Sequence, residues 1–339
     1  MKMMNESNHE IRKTPVIIDT DPGVDDLVSI LWALSVPKLD IRAITVTNGN
    51  VGIDRCVKNA LRALELCGRQ DIPVYRGAYR PFLKPVIDAG WYHGADGLGD
   101  IGLPEPTLRE SPGYAAQRMA DIAIASPEPV TILALAPLTN LAMAILLEPK
   151  LAEHVEKIIF MGGAVQCEGN ESPRASYNVK VDSEAAKVVY SSGIPIVQVG
   201  LDVCDLVTQD FRDLDKIVAT GGRIGNLLGA LLYKRKDRVT KPILDIDGNE
   251  LESPFPLRKE GIGLNDLTAT GYLINPSWFD TRSVWIDIET SGICDGETVA
   301  DFMGLRGHKP NTEFACGVDC KALVSQWVED MSRFSLEHR

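Results

Sequence analysis

Short apolar runs alternate with helical patterns along most of this chain, and this alternation constrains the fold more than any other feature. Apolar runs that predict buried strands lie at residues 16–18, 41–46, 73–75, 130–135, 157–161 and 194–199. Apolar residues at helical spacing lie at residues 26–34, 53–66, 138–147, 183–191 and 224–234. Strands that alternate with helices are typical of a parallel sheet, because parallel neighbours need long crossover connections. We therefore predict an α/β, Rossmann-like fold with a mostly parallel central sheet flanked by helices.

No feature of the 339-residue chain marks a boundary between domains. The chain has no internal repeat and no low-complexity linker, and 45% of its residues are hydrophobic, which is enough for one large core. We predict a single domain at residues 15–339, preceded by a disordered extension at residues 1–14. Residues 82–106 and 236–263 are irregular, and loops this long are usually functional, so we predict two mobile active-site loops there.

The charge and the cysteine pattern restrict the partners and the compartment. The formal net charge of −12 disfavours nucleic acid and anionic membranes, which such a surface repels, and leaves a small ligand as the expected partner. No apolar stretch reaches the roughly 18 residues of a membrane span, and the first residues lack the apolar run of a secretory signal. The seven cysteines are scattered without zinc-site spacing, which favours reduced thiols and a cytoplasmic location.

The most informative segment is the acidic turn, Asp-Thr-Asp-Pro-Gly-Val-Asp-Asp at residues 19–26, which follows the first predicted strand. Its four carboxylates would repel one another and rise in pKa unless a divalent cation offset their charge. Oxygen-only ligands favour a hard ion, Ca²⁺ or Mg²⁺. The Pro-Gly pair supplies a tight turn, and the second aspartate pair opens the next helix, where the helix dipole favours negative charge. The segment therefore predicts a metal site beyond the end of the first strand.

These residues leave two other interpretations of the acidic turn open. In one, Asp25 only caps the helix and the other carboxylates are solvated turn residues. In the other, the chain is a phosphatase of the haloacid dehalogenase type, which also begins with a strand followed by Asp-x-Asp and binds Mg²⁺. Asp19 would then be the nucleophile, although that motif does not require the pair Asp25 and Asp26.

The acidic turn resembles the N-terminal fingerprint of the inosine–uridine-preferring nucleoside hydrolases. Further blocks resemble this family in the family's own order, at residues 47–50, 91–99, 136–142, 161–164, 169–170, 177–178, 182 and 265–266. Together the blocks span residues 15 to about 325. The resemblance implies the nucleoside hydrolase fold and a Ca²⁺-dependent hydrolysis of the N-glycosidic bond of a nucleoside or a close analogue, giving free base and ribose. It also implies a homodimer or a homotetramer.

The resemblance implies a role for each carboxylate near the metal. Asp21, Asp26 and Asp266 would bind the Ca²⁺ ion together with the backbone carbonyl of Leu135, since Ca²⁺ accepts both kinds of oxygen. Asp21 would also be the general base, because a metal-bound water is more acidic than bulk water and a nearby carboxylate can deprotonate it. Asp19 would hold this cluster in place from behind.

The resemblance also implies how the substrate is bound. Ribose hydroxyls would be bound by four side chains, Asp25, Asn50, Asn170 and Asn178. The Gly-rich block at residues 91–99 would close over the base and bring in His93, a catalytic candidate, together with Trp91 and Tyr92. Surrounding carboxylates would stabilise the positive charge that builds on the sugar ring in the transition state.

The chain departs from the family pattern at two positions. Asn265 replaces a histidine that is thought to protonate the leaving base; an amide has no such proton to give, so Asn265 would hydrogen-bond the base or cap the following helix. Aromatic stacking on Trp91, Tyr92 or Tyr233 would then activate the leaving base. Ser176 replaces a glutamate that grips the 5′ side of the sugar, which admits a 5′-modified sugar. These departures also leave open a non-catalytic, calcium-dependent nucleoside or ribose binder.

Overall fold

The computed structural model describes residues 13–235, 243–244, 250–251 and 262–338. The strands are β1 (Thr14–Thr20), β2 (Leu39–Val46), β3 (Val74–Arg76), β4 (Val130–Ala134), β5 (Val155–Met161), β6 (Ile196–Val199), β7 (Thr208–Gln209), β8 (Ile243–Leu244), β9 (Glu250–Leu251), β10 (Ile262–Gly263), β11 (Phe279–Val284), β12 (Ile286–Ile288), β13 (Thr298–Ala300) and β14 (Thr312–Val318). The α-helices are α1 (Val24–Ser35), α2 (Ile53–Leu66), α3 (Gly90–His93), α4 (Ala115–Ala125), α5 (Thr139–Leu147), α6 (Tyr177–Val181), α7 (Ser183–Tyr190), α8 (Leu201–Cys204), α9 (Phe211–Val218), α10 (Arg223–Arg235), α11 (Asn265–Ile274) and α12 (Cys320–Glu337).

Eight strands form the central sheet in the order β11-β14-β6-β5-β4-β1-β2-β3. Seven of them run parallel to one another. The eighth, β11, lies at one edge of the sheet and pairs antiparallel with β14. The order β3-β2-β1-β4-β5-β6 is that of a doubly wound Rossmann sheet, in which the connections reverse direction between β1 and β4. The crevice at the carboxyl ends of β1 and β4 is therefore the expected place for a ligand.

Helices cover both faces of the sheet and divide the core into two apolar layers. Val16 and Ile18 of β1 point into one layer, which α1, α2, α11 and α12 complete. Ile17 points into the other layer, together with apolar residues of α4, α5 and α7. Burial on both faces explains why the central strands are continuous apolar runs rather than alternating ones.

The predicted α/β, Rossmann-like architecture with a mostly parallel sheet is confirmed. The helix predicted at residues 53–66 has the same bounds in the structure. The strands β11 and β14, which extend the sheet at one edge, were not predicted. No helix among the described residues has the length and apolarity needed to cross a membrane.

The predicted loops and the predicted extension differ in how much of them the structure describes. Residues 82–106 are irregular except for the short helix α3, and they border the candidate site described below. Of the loop predicted at residues 236–263, only residues 243–244, 250–251 and 262–263 are described. Of the predicted extension at residues 1–14, residues 1–12 lie outside the described part, and β1 already begins at Thr14.

Candidate active site

The acidic turn lies at the carboxyl end of β1, at the point where the sheet connections reverse. Asp19 is still in β1, Asp21 follows it, and Asp25 and Asp26 occupy the first turn of α1. All four side chains are buried. A Cβ atom on Gly23 would lie 2.5 Å from His93 Nδ1, so the close packing of the turn requires glycine at this position.

Asp26 is held by donors from its own turn and from the loop after β2. Its Oδ1 accepts a hydrogen bond from the Thr20 hydroxyl (2.5 Å), and its Oδ2 accepts from the Gly23 N–H (3.0 Å). The Asn50 side-chain amide also donates to Oδ2 (2.9 Å). Asp26 therefore both caps α1 and connects it to the neighbouring loop.

Asp21 is fixed through one carboxylate oxygen only. Its Oδ2 accepts from the Asn50 backbone N–H (2.7 Å), while Oδ1 is buried and has no hydrogen-bond partner among the described residues. The backbone of Gly49 packs directly on this carboxylate, because a Cβ atom there would lie 1.8 Å from Oδ2. Asp21 thus has one oxygen available for a ligand.

Asp19 lies deeper than the other carboxylates and is held from two sides. Its Oδ1 accepts from the Thr45 hydroxyl (2.7 Å) and from the Asn140 side-chain amide (2.9 Å). Asn140 in turn accepts from the Ala78 N–H (2.8 Å). The Asp19 backbone carbonyl accepts from the Leu135 N–H (2.8 Å), which joins the ends of β1 and β4.

A group of three buried carboxylates could hold a metal ion. Asp25, Asp26 and Asp266 each offer an oxygen, and these three oxygens lie within 4.8 Å of one another. Asp266 comes from the first turn of α11, far along the chain, and α11 packs against α1. The most compact group therefore has Asp25, rather than Asp21, beside Asp26 and Asp266.

Burial raises the pKa of four carboxyl groups in this region, those of Asp19, Asp21, Asp26 and Asp266. Burial, helped by the charge of Asp26, raises the pKa of Asp21 and the pKa of Asp266 well above the usual range. Burial and the charge of Asp25 raise the pKa of Asp26 to about 6. Burial raises the pKa of Asp19 to about 7, against the opposing hydrogen bonds from Asn140 and Thr45. A bound divalent cation would remove this cost, which is the behaviour expected of a metal site.

Beside the carboxylates lies a cavity of about 190 Å³. Of the residues predicted for the site, those that line the cavity are Asp25, Asn50, His93, Leu135, Asn170, Ser176, Asn178, Asn265 and Asp266. Asp19, Asp21 and Asp26 are not among its lining residues. The sequence blocks that resemble the family therefore converge on one space, although they come from all parts of the chain.

Asn178 organises the wall formed by the ends of β4 and β5. Its side-chain amide donates to the backbone carbonyls of Leu135 (2.7 Å) and Met161 (2.9 Å). Leu135, whose carbonyl is a predicted metal ligand, thus lines the cavity, and this carbonyl accepts a hydrogen bond from Asn178.

Two further predicted residues lie nearby and differ in exposure. Asn170 is exposed, and its Oδ1 accepts from the Tyr177 N–H (2.8 Å). Ser176 is buried, and its hydroxyl oxygen accepts from the Gly163 N–H (2.7 Å).

His93 ends the short helix α3 and is buried at the cavity. Its Nδ1 accepts a hydrogen bond from the Val24 N–H (3.1 Å) and lies 3.8 Å from Asp25 Oδ1. A neutral ring that accepts at Nδ1 carries its proton on Nε2. Tyr92 contacts the imidazole edge-on, with ring centroids 4.9 Å apart, and Trp91 lines the same cavity while remaining half exposed.

Of the three aromatic residues proposed to stack on the base, the structure places two at the cavity. Trp91 and Tyr92 line it, whereas Tyr233 does not. Tyr233 instead stacks on Phe211 and hydrogen-bonds Asp215. Trp91 and Tyr92 therefore remain as candidates for contact with the base.

The sequence analysis gave no role to two polar residues that line the cavity, Glu171 and Tyr177, although Tyr177 belongs to the block at residues 177–178. The Tyr177 hydroxyl lies 2.8 Å from the Gly49 carbonyl and 3.1 Å from the Ile87 carbonyl. Both residues adjoin predicted ones, since Glu171 follows Asn170 and Tyr177 precedes Asn178. This adjacency was the only sequence signal that could have pointed to them. The hydrogen-bond partners of Tyr177 are 90 and 128 positions away, so the sequence around Tyr177 does not indicate its contacts.

Comparisons with known proteins agree with this geometry. The chain is 37% identical over 322 residues to the pyrimidine-specific ribonucleoside hydrolase RihA of Citrobacter koseri, covering 95% of this chain and 99% of the relative. The fold is similar to the purine-preferring ribonucleoside hydrolase from Gardnerella vaginalis, with a TM-score of 0.86, 25% identity, and coverage of 96% and 100% of the two chains. It is also similar to the plant nucleoside hydrolase PpNRh1, with a TM-score of 0.84, 30% identity, and coverage of 94% and 99%.

A family model supplies the remaining comparison. The model described as inosine-uridine preferring nucleoside hydrolase matches residues 16–325, which include every predicted site residue. The match assigns the acidic turn to a hydrolase of N-glycosyl bonds rather than to a phosphatase. On the sequence match, the shared fold and the converging site residues, this chain belongs to the inosine-uridine preferring nucleoside hydrolase family.

Proposed function

We propose that this protein hydrolyses the N-glycosidic bond of a ribonucleoside to free base and ribose, with Ca²⁺ as its metal ion. One observation carries the proposal: a single cavity is lined by Asp25 and Asp266 of the buried carboxylate group, by four asparagines and by an aromatic loop with a histidine. Carboxylates suit a cation and a positively charged transition state, asparagines suit sugar hydroxyls, and aromatic rings suit a base.

The residues present fit a hard divalent cation. The candidate ligands are all oxygens, they are buried, and burial raises the pKa of several of these carboxyl groups when no cation offsets their charge. Asp26, Asp266 and the Leu135 carbonyl would hold the ion, with Asp21 or Asp25 completing the set. When bound, such an ion makes a coordinated water more acidic and leaves room for sugar hydroxyls.

We assign the general base to Asp21. Its Oδ2 is held by the Asn50 N–H, and its buried Oδ1 has no hydrogen-bond partner among the described residues, so Oδ1 is the oxygen that takes a proton from the attacking water. Asp19 keeps the carboxyl end of β1 in place through Thr45 and Asn140. Asn50, Asn170, Asn178 and Asp25 bind the hydroxyls of the ribose.

The leaving base is handled without the histidine that the family has at position 265. Asn265 lines the cavity and can donate an amide hydrogen bond to the base, but it cannot transfer a proton. We assign His93 to the base through its Nε2–H, which a neutral ring carries when its Nδ1 accepts from the Val24 N–H. Trp91 and Tyr92 provide stacking surfaces.

We propose a preference for pyrimidine ribonucleosides. Support comes from the RihA relatives of Citrobacter koseri and an Enterobacter species, described as pyrimidine-specific, which are 37% and 34% identical to this chain. The purine-preferring structural neighbour is less similar, at 25% identity.

We also propose a cytoplasmic location, for which the seven free cysteines are the support. We further propose that the protein is a homodimer or a homotetramer, which light scattering would test.

A nucleoside hydrolysis panel tests the proposed function. Purified protein is incubated with uridine, cytidine, inosine, adenosine and guanosine in Ca²⁺, and the released bases are separated by liquid chromatography. We expect free uracil and cytosine, with loss of release after chelation and recovery when Ca²⁺, rather than Mg²⁺ alone, is restored. If all five nucleosides stay intact while calorimetry detects ribose binding, the protein is a binder and the hydrolase proposal fails.

A further inference from the structure

A compact turn at residues 169–176 forms one wall of the cavity. Within it the Glu171 N–H donates to the Ala175 carbonyl (3.2 Å), and the Gly169 N–H donates to the Pro173 carbonyl (3.2 Å). A Cβ atom on Gly169 would lie 2.2 Å from the Ser172 carbonyl oxygen, so the turn is too tight for a side chain there. This geometry fixes where the turn presents Glu171.

Glu171 is an acidic residue that lines the cavity and does not belong to the metal group. Three carboxylates line the cavity among the described residues, and the other two, Asp25 and Asp266, are members of that group. Glu171 is half-buried. Its charge contributes to the raised pKa of the neighbouring Tyr177, after the larger effects of burial and Asp21, which agrees with an acidic group close to the cavity wall.

Ser176 cannot supply a charge on the same wall. Its buried hydroxyl oxygen accepts a hydrogen bond from the Gly163 N–H (2.7 Å) and so holds the backbone after β5. At position 176, where the family has a glutamate, this chain therefore has a neutral hydroxyl that is hydrogen-bonded to the backbone of Gly163. A carboxylate is nevertheless present five positions earlier, on the same turn.

We propose that Glu171 determines specificity at the 5′ end of the sugar, by accepting a hydrogen bond from the primary hydroxyl of the ribose. This inference rests on the proposed function. A cation held by the metal group would take the two secondary hydroxyls, which leaves the primary hydroxyl for the acidic residue outside that group. An ionised acceptor makes a stronger hydrogen bond than a neutral one, and it repels a 5′-phosphate, so nucleosides are selected over nucleotides.

The experiment compares Glu171→Ala and Glu171→Gln with the control Glu168→Gln, which removes a charge from an exposed residue just before the turn. For each protein, kcat/KM is measured with uridine, 5′-deoxyuridine and uridine 5′-monophosphate. We expect Glu171→Ala to lower kcat/KM for uridine roughly 10- to 100-fold, the effect of losing a hydrogen bond to a charged group, with little change for 5′-deoxyuridine. Glu171→Gln should raise the relative activity on the monophosphate, and Glu168→Gln should change neither ratio.

Equal losses on uridine and 5′-deoxyuridine would overturn the inference, since the effect would then not depend on the primary hydroxyl. The same holds if Glu168→Gln reproduces the effect of Glu171→Gln. A wild-type protein that hydrolyses no nucleoside contradicts the proposed function instead. In that case, calorimetry with ribose and 5-deoxyribose still decides the role of Glu171, because the variant should lose the preference for ribose.

Discussion

Asn50 joins Asp21 and Asp26, two of the three carboxylates of the acidic turn that do not line the cavity. Its backbone N–H and its side-chain amide donate to Asp21 Oδ2 and to Asp26 Oδ2, and the amide also reaches the Asp21 backbone carbonyl. One residue therefore satisfies three acceptors, while Asp21 Oδ1 keeps no hydrogen-bond partner among the described residues. At the scale of single residues, what each carboxylate of the site can bind depends on which of its two oxygens already accepts a hydrogen bond.

Asp21→Asn tests the assignment of the general base. The amide keeps the shape of the side chain but cannot accept a proton, so we expect kcat to fall by about 10²- to 10⁴-fold. Asp54→Asn is the control, because Asp54 is an exposed carboxylate in the first turn of α2 and its ion pair with Arg76 lies at the surface. Steady-state hydrolysis of uridine measures both, and an Asp21→Asn enzyme with near wild-type kcat would contradict the assignment.

Gly49→Ala tests the close approach of the backbone to Asp21. The added Cβ atom would lie 1.8 Å from Asp21 Oδ2, so the carboxylate or the loop must move. A displacement of about 1 Å in a catalytic group can cost about 100-fold in rate, and we expect a loss of that order in kcat/KM. Gly52→Ala, three residues on, meets nothing within 4 Å and should keep its activity. Similar activities of the two variants would rule out the packing argument.

At the scale of elements, α6 connects three segments that form the site. Tyr177, its first residue, contacts the carbonyl of Gly49 in the loop after β2 and the carbonyl of Ile87 in the loop that leads to α3. The Ala89 N–H also donates to the Asn50 carbonyl (2.8 Å). The Tyr177 hydroxyl therefore connects the loop that carries His93 to the loop after β2.

Tyr177→Phe removes this hydroxyl without removing the ring. We expect faster hydrogen exchange in residues 85–98 and a fall in kcat/KM of roughly 10-fold, because the loop that carries His93 loses an anchor. Tyr190→Phe is the matched control, since Tyr190 is also buried and its hydroxyl bonds Gln198 rather than a site loop. The anchor role is wrong if the two variants show the same exchange in residues 85–98.

The apolar patterns of neighbouring residues predicted the strand and the helix on either side of the acidic turn. Edge strand β11 and several side chains of the site depend on contacts between distant segments, which such patterns do not show. Residues 53–66 form the predicted helix because their apolar spacing agrees with their packing. Strand β11 was not predicted; its burial pattern has four exposed residues between buried ends, so it lacks the apolar run of the central strands. The contacts of Tyr177 and the placement of Glu171 depend on the assembled fold, which neighbouring residues do not encode.

At the scale of the whole molecule, the buried carboxylates link stability to pH and to the cation. Burial raises the pKa of Asp26 to about 6 and the pKa of Asp19 to about 7, above their value of 3.8 in an exposed chain. The folded state therefore binds protons more tightly than the unfolded state. Its stabilisation is complete below about pH 3.8 and is lost as the pH rises through 6 and 7.

Thermal unfolding with and without Ca²⁺ tests this linkage. In chelator, we expect these carboxylates to lower the melting temperature as the pH rises from 5 to 8, because they must ionise while buried without a cation. Saturating Ca²⁺ should raise the melting temperature by at least about 4 °C at pH 8, and by much less at pH 5, where protons compete. A shift of equal size at both values would show that these carboxylates do not bind the ion.

The carboxylates of the proposed cation site come from segments that lie far apart in the sequence, Asp26 in α1 and Asp266 in α11. During synthesis, the second of them leaves the ribosome some 240 positions after the first, a delay of about 10 to 50 s at ordinary elongation rates. The nascent chain consequently carries an incomplete set of ligands throughout that interval. Binding of the proposed ion is thereby postponed until the segment that carries Asp266 has emerged.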